Sequence, residues 1–171
     1  MLVVMMGLAG TGKSAVAEGV ARSVHAPVFS VDPLEAALLR SGITREQRSD
    51  YIAYDLAAAL ARSQLALGQP AIIDAVNPIE LVRGWWRDIA IEFDLPRAVI
   101  ECVCSDVELH RRRIEARARD ISGFIYEPSW EDVQASRAGY EPCTEDRLVL
   151  DAVAGLAANI SRAIEYVSRF R

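Results

Sequence analysis

Gly7-Leu8-Ala9-Gly10-Thr11-Gly12-Lys13-Ser14 fits the pattern G-x-x-x-x-G-K-[ST], the P-loop. It follows an apolar run, Leu2 to Met6, and opens a run with helical spacing, Ala15 to Val24. A P-loop needs that strand–loop–helix order. Its glycines let backbone N–H groups turn inward around a phosphate, at a helix N-terminus whose partial positive charge favours anions. Gly7, Ala9, Gly10, Thr11, Gly12, Lys13, Ser14 and Ala15 are therefore the expected phosphate-binding residues. Lys13 is placed to reach the β- and γ-phosphates, and the Ser14 hydroxyl to ligate Mg²⁺. An ordinary Gly-rich turn with a capping serine needs neither the lysine nor both flanking glycines.

The chain has 171 residues, which suits a single domain over 1–171 with a proper core. Half of its residues are apolar, yet no apolar run approaches membrane-spanning length. The sequence opens directly on a strand, so no signal peptide is expected and the cytoplasm is the expected location. Three cysteines cannot all pair; Cys102 and Cys104 read as buried residues on one strand face, and Cys143 as a lone loop cysteine. A net charge of −5 argues against a long nucleic-acid partner, which usually leaves a basic footprint. It leaves room for a short nucleotide and a small-molecule substrate.

Read in order, strands are expected at Leu2–Met6, Pro27–Val31, Ala71–Asp74, Arg97–Cys104 and Arg147–Asp151. Asp32, Pro33 and Glu35 read as a helix start with Asp32 at the cap. Thr44-Arg45-Glu46-Gln47 reads as a second capping box. The long helix it opens carries Ile52, Leu56, Leu60, Ser63 and Leu67 on one stripe and ends at Gly68. Asn77 to Glu80 caps a helix with Leu81, Trp85, Ile89 and Phe93 inward, and Ser105 to Glu108 caps an arginine-rich helix. Residues 121–146 are polar and weakly periodic except around Trp130–Arg137, which marks the segment as the mobile one. Gly155–Phe170 is the last helix, with Leu156, Ile160, Ala163 and Val167 inward. The strand–helix alternation implies an α/β fold, a parallel sheet covered on both faces, with ligands at the carboxyl ends of the strands.

The first three strands each end on a polar group, Gly7 with its loop, Asp32 and Asp74. Asp74 closes an apolar strand, the form of a Walker B acid that holds Mg²⁺ through water together with Ser14. Asp32 has two compatible roles, helix cap and base for an acceptor hydroxyl. In the arginine helix, Glu108–Arg112 and Glu115–Arg119 are i,i+4 pairs, whereas Arg113 and Arg117 share a face and lack such partners. Two like charges on one face suit an anion between them, so both are candidates to stabilise the transferring phosphoryl group or stack on the base. His110 reads as a partly buried structural histidine. Arg40, Arg48, Tyr51, Tyr54, Asp55, Arg83, Trp85 and Trp86 remain for the acceptor side; of these Trp85 reads as core.

With these pieces in place, the chain resembles the small P-loop kinases of the nucleoside-monophosphate-kinase type, an AAA-type ATP-binding kinase. It is most similar to the group of chloramphenicol phosphotransferase, gluconate kinase, zeta toxin and polynucleotide kinase domains. Gly7–Ser14, Ser30-Val31-Asp32, Ile72 to Asn77, the arginine helix and Asp146 to Asp151 carry the resemblance across nearly the whole chain. It implies a three-layer fold with a five-stranded parallel sheet in order 2-3-1-4-5 and a helical lid at about 106–146. It also implies ATP with Mg²⁺, Asp32 as acceptor base, Arg113 and Arg117 as lid arginines, and adenine near Asp151 to Val153. Two features depart from the group. Glu35 stands where polynucleotide kinases place an arginine, and the extra acidic pair of gluconate kinases is missing.

The expected activity is ATP-dependent transfer of the γ-phosphoryl group to a hydroxyl of a small molecule. A nucleotide-binding ATPase or switch without an acceptor is the alternative of a different class. Ala75 rather than glutamate follows Asp74, and no N-K-x-D motif occurs, which weakens ATPase and GTPase readings. A toxin-like sugar-nucleotide kinase shares the chemistry and differs in its acceptor.

Overall fold

The computed structural model describes residues 1–116 and 127–170. Its parallel strands are β1 (Leu2–Met6), β2 (Val28–Ser30), β3 (Ala71–Asp74), β4 (Arg97–Val103) and β5 (Leu148–Asp151). Their order in the sheet is β2-β3-β1-β4-β5, as the resemblance implies. The helices are α1 (Lys13–Val24), α2 (Val31–Arg40), α3 (Ser49–Ala66), α4 (Glu80–Glu92), α5 (Val107–Glu115), α6 (Trp130–Ala138) and α7 (Leu156–Ser168). A short 3₁₀ turn, Ala152–Ala154, joins β5 to α7.

The apolar run of β1 serves two cores, because successive side chains point to opposite faces. Leu2 and Val4 pack with Trp86 and Ile89 of α4 and with Ala53, Ala57, Ala58 and Ala61 of α3. Val3 and Met5 pack on the other face with Val16 and Val20 of α1 and Ala163 and Val167 of α7. In α3 the stripe expected from the sequence is not the buried one. Leu56, Leu60 and Leu67 are exposed, and the alanines face the sheet. The run from Leu56 to Ala61 is apolar on every side, so its period does not choose a face. Size chooses instead, since small residues let the helix approach the strands closely. Leu81 and Leu156 are likewise exposed, and in α4 the fully buried indole is Trp86, not Trp85.

Two predicted helix starts are shifted. Ser30 holds the N-cap backbone position of α2, so Asp32 lies inside its first turn rather than at the cap. Pro33 is tolerated there because the first N–H groups of a helix have no intrahelical partner. Glu35 does not reach back. It accepts a hydrogen bond from Ser49 Oγ (3.1 Å) and pairs with Arg45, tying α2 to α3. At Thr44, only half of the predicted box forms, a bond from its N–H to Gln47 Oε1 (2.9 Å), and α3 begins five residues later at Ser49.

Gly7 leaves β1 with φ of +128°, and a Cβ built there would lie 2.1 Å from the carbonyl oxygen of Cys102 on β4. Gly7→Ala must therefore part the two central strands. We expect it to cost about 4–5 kcal/mol, the range reserved for steric and strain failures in a core. The midpoint of urea unfolding measures this; a loss below about 1 kcal/mol would show that the loop has room to move.

Candidate active site

Strand register assembles the site. Ser30 of β2 and Met5 of β1 both lie opposite Asp74 of β3. Gly7 and Asp32 each follow two residues later, so the P-loop and both acids share one sheet edge. The loop is closed by a bond from Thr11 Oγ1 to Leu8 O (2.8 Å) and by the Gly7 N–H, which donates to Val76 O (3.1 Å). Gly10 and Gly12 sit at φ of +81° and +87°. Gly12 is the N-cap of α1 and offers no side-chain cap, which leaves the first amides of that helix for an anion.

Lys13 Nζ lies 3.3 Å from Asp74 Oδ1, with both side chains more than nine-tenths buried. Ser30 Oγ donates to Asp74 Oδ2 (3.1 Å), whereas among the described residues Oδ1 has no well-directed hydrogen bond and lies against the lysine charge. Burial pushes the Asp74 carboxyl up, but the charge of Lys13 and the hydroxyls of Ser14 and Ser30 outweigh it and hold the group below its ordinary range. An ionised acid with a spare oxygen beside the exposed Ser14 hydroxyl suits a hydrated Mg²⁺, which keeps several waters and takes few protein ligands. Among the described residues no cluster of three or more His, Cys, Asp or Glu forms a dedicated metal cage.

Asp32 is partly buried in the first turn of α2, where the helix dipole favours a carboxylate. Its charge reaches the buried Tyr54 hydroxyl. That phenol is pushed well above its usual range, first by burial and then by Asp32 and Asp74 among others. Arg113 of α5 lines the P-loop mouth, a cavity of about 200 Å³ with Lys13 and Ser14. Its Nη2 also lies 3.4 Å from Ala152 O. Val153 is 55 % exposed at the 3₁₀ turn, its N–H donating to Asp151 Oδ1 (3.1 Å). Arg117 lies outside the described residues. Within the expected capping stretch of α5, Asp106 accepts from the Leu109 N–H; Glu115 pairs with Arg111, and Arg119, its expected partner, lies outside the described residues.

Several residues of the site surroundings escaped the sequence reading. Asn77 does not cap α4. Ile79 does, and Asn77 is fully buried at φ of +51°. Its Nδ2 donates to Met5 O (2.7 Å), and its Oδ1 accepts from Trp86 Nε1 (2.8 Å). Arg83 is also buried, donating to four carbonyls, those of Asn77, Pro78, Glu141 and Pro142. This clamp fixes the second half of the segment expected to be mobile. Glu141 and Glu145 hold it further through Pro78 O, Glu80 N and Arg97. Within it, α6 covers a second cavity of about 340 Å³ between Gly7–Leu8, the end of β4, His110, Arg137 and Tyr140.

His110 is fully buried, with Nε2 2.6 Å from Ala9 O of the P-loop and Nδ1 3.2 Å from Arg137 Nη2. The carbonyl requires a proton on Nε2 and the guanidinium requires a lone pair on Nδ1, so the neutral ring satisfies both. Burial pushes its pKa down accordingly, with Arg137 and Arg113 adding to the effect. Arg48, Tyr51 and Trp85, candidates for the acceptor side, lie toward the surface. Arg48 pairs with Asp50 (3.7 Å), and Tyr51 meets Trp85 edge-on at 5.0 Å.

A closed P-loop, a buried lysine–aspartate pair and this strand order define the site and fold of the small P-loop kinases. A family model described as an AAA domain (AAA_33) matches residues 2–142. The chain belongs to that family. Three solved structures extend the likeness over almost the full length. A Chloroflexus aurantiacus protein, assigned provisionally as a kinase, is 20% identical with a TM-score of 0.80, covering 99% of this chain and 97% of its own. A gluconokinase from Sinorhizobium meliloti 1021 is 18% identical with a TM-score of 0.72, covering 98% and 91%. The Mycobacterium tuberculosis APS kinase CysC, in complex with AMPPNP and APS, is 20% identical with a TM-score of 0.71, covering 98% and 96%. At these identities the likeness is one of fold. No curated protein matches the sequence. No helix among the described residues is long and apolar enough to cross a membrane.

Proposed function

We propose that the protein is an ATP-dependent kinase that phosphorylates a hydroxyl group of a small molecule. The observation that carries this reading is the strand register that sets Lys13, Asp74 and Asp32 at one sheet edge. ATP with Mg²⁺ supplies the transferable phosphoryl group and neutralises part of its charge. Lys13 and the amides of Gly7, Ala9, Gly10, Thr11, Gly12, Ser14 and Ala15 bind and orient the phosphates. Ser14 ligates the metal, and Asp74 holds its water shell and the lysine. Asp32 orients the acceptor hydroxyl and takes its proton. Arg113 and Arg117 would offset the charge that spreads over the phosphoryl oxygens, and Val153 flanks the base. Like the gluconokinase and the APS kinase in fold, the protein would draw its acceptor from small hydroxyl metabolites.

The test is ADP formation with MgATP in the presence and absence of a panel of sugars, sugar acids, nucleosides, sugar nucleotides and hydroxyl-bearing antibiotics. Acceptor-dependent turnover with a phosphorylated product is expected. ATP consumption that no acceptor stimulates would replace the kinase with an ATPase or switch.

A further inference from the structure

Helix α5 packs directly against the P-loop. A Cβ built at Gly10 would lie 2.7 Å from Ile114 Cδ1 and 3.1 Å from His110 Cδ2, both on that helix. The buried His110 also places Nε2 2.6 Å from Ala9 O. Its other ring nitrogen meets Arg137 Nη2 of α6 at 3.2 Å. A guanidinium can only donate, so Nδ1 keeps its lone pair and the ring proton sits on Nε2, aimed at the Ala9 carbonyl. Trp130, also of α6, meets the imidazole edge-on at 5.3 Å and carries the Arg137 guanidinium 5.8 Å above its own ring. The bond from His110 acts on the next amide. The Ala9–Gly10 peptide is trans, so its N–H points opposite to its C=O. With the carbonyl turned to His110, the Gly10 N–H points away from the imidazole. Gly10 lines the mouth of the P-loop with Gly12, Lys13 and Ser14, and among the described residues no backbone carbonyl accepts from its N–H. Glycine adopts many backbone angles, so local sterics leave this peptide free to turn and the histidine bond sets its plane.

We infer that His110 is a positioning residue for the nucleotide: it aims the Gly10 amide at the phosphates, and Arg137 selects the tautomer that does so. This rests on the reading of the P-loop as an ATP site. The amide is set before the nucleotide arrives, which spares the cost of turning the peptide on binding. It also ties α6 to the phosphate site, since Arg137 acts through one ring on one loop amide.

Long-range proton–nitrogen NMR spectra of the intact, nitrogen-labelled protein near neutral pH are expected to show His110 protonated on Nε2. Titration with ADP and Mg²⁺ is expected to move the Gly10 amide resonance. By calorimetry, ADP should bind about three- to tenfold more weakly to His110→Asn, whose amide reaches only the δ position, the scale of one hydrogen bond. In His110→Gln, whose amide N–H reaches the ε position, the affinity should stay within about twofold of the unmodified protein. An Nδ1–H tautomer, or a Gly10 amide that does not move while ADP binds, overturns the inference and leaves the ATP reading intact. Unchanged ADP affinity in a folded His110→Asn does the same, and an equal loss in both variants reduces His110 to packing. Failure of ADP to bind the unmodified protein would remove the ATP reading itself. The two NMR measurements stand even if neither variant folds.

Discussion

Lys13→Met is expected to abolish phosphoryl transfer, lowering turnover by about 10³ or more, and to weaken nucleotide binding as well. Removing one preorganised donor to a developing anion usually costs 10²–10³ in rate, and Lys13 is a full charge rather than a dipole. The same change is expected to destabilise the unliganded protein by about 3–5 kcal/mol, because it strands the Asp74 carboxylate in a buried site. The pH dependence separates this cause from lost packing. In the native protein the Asp74 carboxyl is held below its ordinary range, so the pair stabilises the fold at neutral pH and loses its effect as acid protonates the group. Without Lys13, burial becomes the dominant influence and pushes the carboxyl above its ordinary range. The variant then loses stability as pH climbs from about 4 toward neutrality. Its deficit should be large at pH 7 and small at pH 4, as read by urea unfolding. Adding Asp74→Asn should restore much of the stability and none of the transfer. A deficit independent of pH would assign the loss to packing instead.

Asp32→Asn is expected to lower kcat by about 10²–10⁴, the contribution of a positioned general base, while leaving the Kd for ATP unchanged. Asparagine keeps the shape and the polar contact in the first turn of α2 but cannot take a proton. The split between kcat and ATP binding is the informative readout. A uniform fall in both would point to a disturbed α2. Full turnover would reduce Asp32 to a first-turn acid that only complements the helix dipole.

The sheet and the P-loop were legible because their signals are local. A fully apolar five-residue run, a glycine-rich turn with its lysine, and an apolar strand ending in Asp74 each specify their own element. What escaped depended on partners far along the chain. Asn77 has a cap's sequence context, yet it is drawn inward by Met5 and Trp86. Arg83 has Glu80 three positions back, an apparent local partner, yet Glu80 pairs with Arg87, and the four acceptors of Arg83 include two carbonyls nearly sixty positions away. The start of α2 was misplaced because Ser30 and Asp32 are both good cap formers two residues apart, and nothing local chooses between them. Arg113 was separable from its neighbours by spacing alone.

The reversed face of α3 bears on how this chain tolerates change over time. Its leucines at positions 56 and 60, and Leu67 just past its end, face outward, so polar replacements there should drift freely. Its alanines at 53, 57, 58 and 61 are buried against the core, where added methylenes usually cost stability. Among relatives, the least conspicuous residues of this helix should be the most constant, and a hydrophobicity profile would rank them the wrong way round.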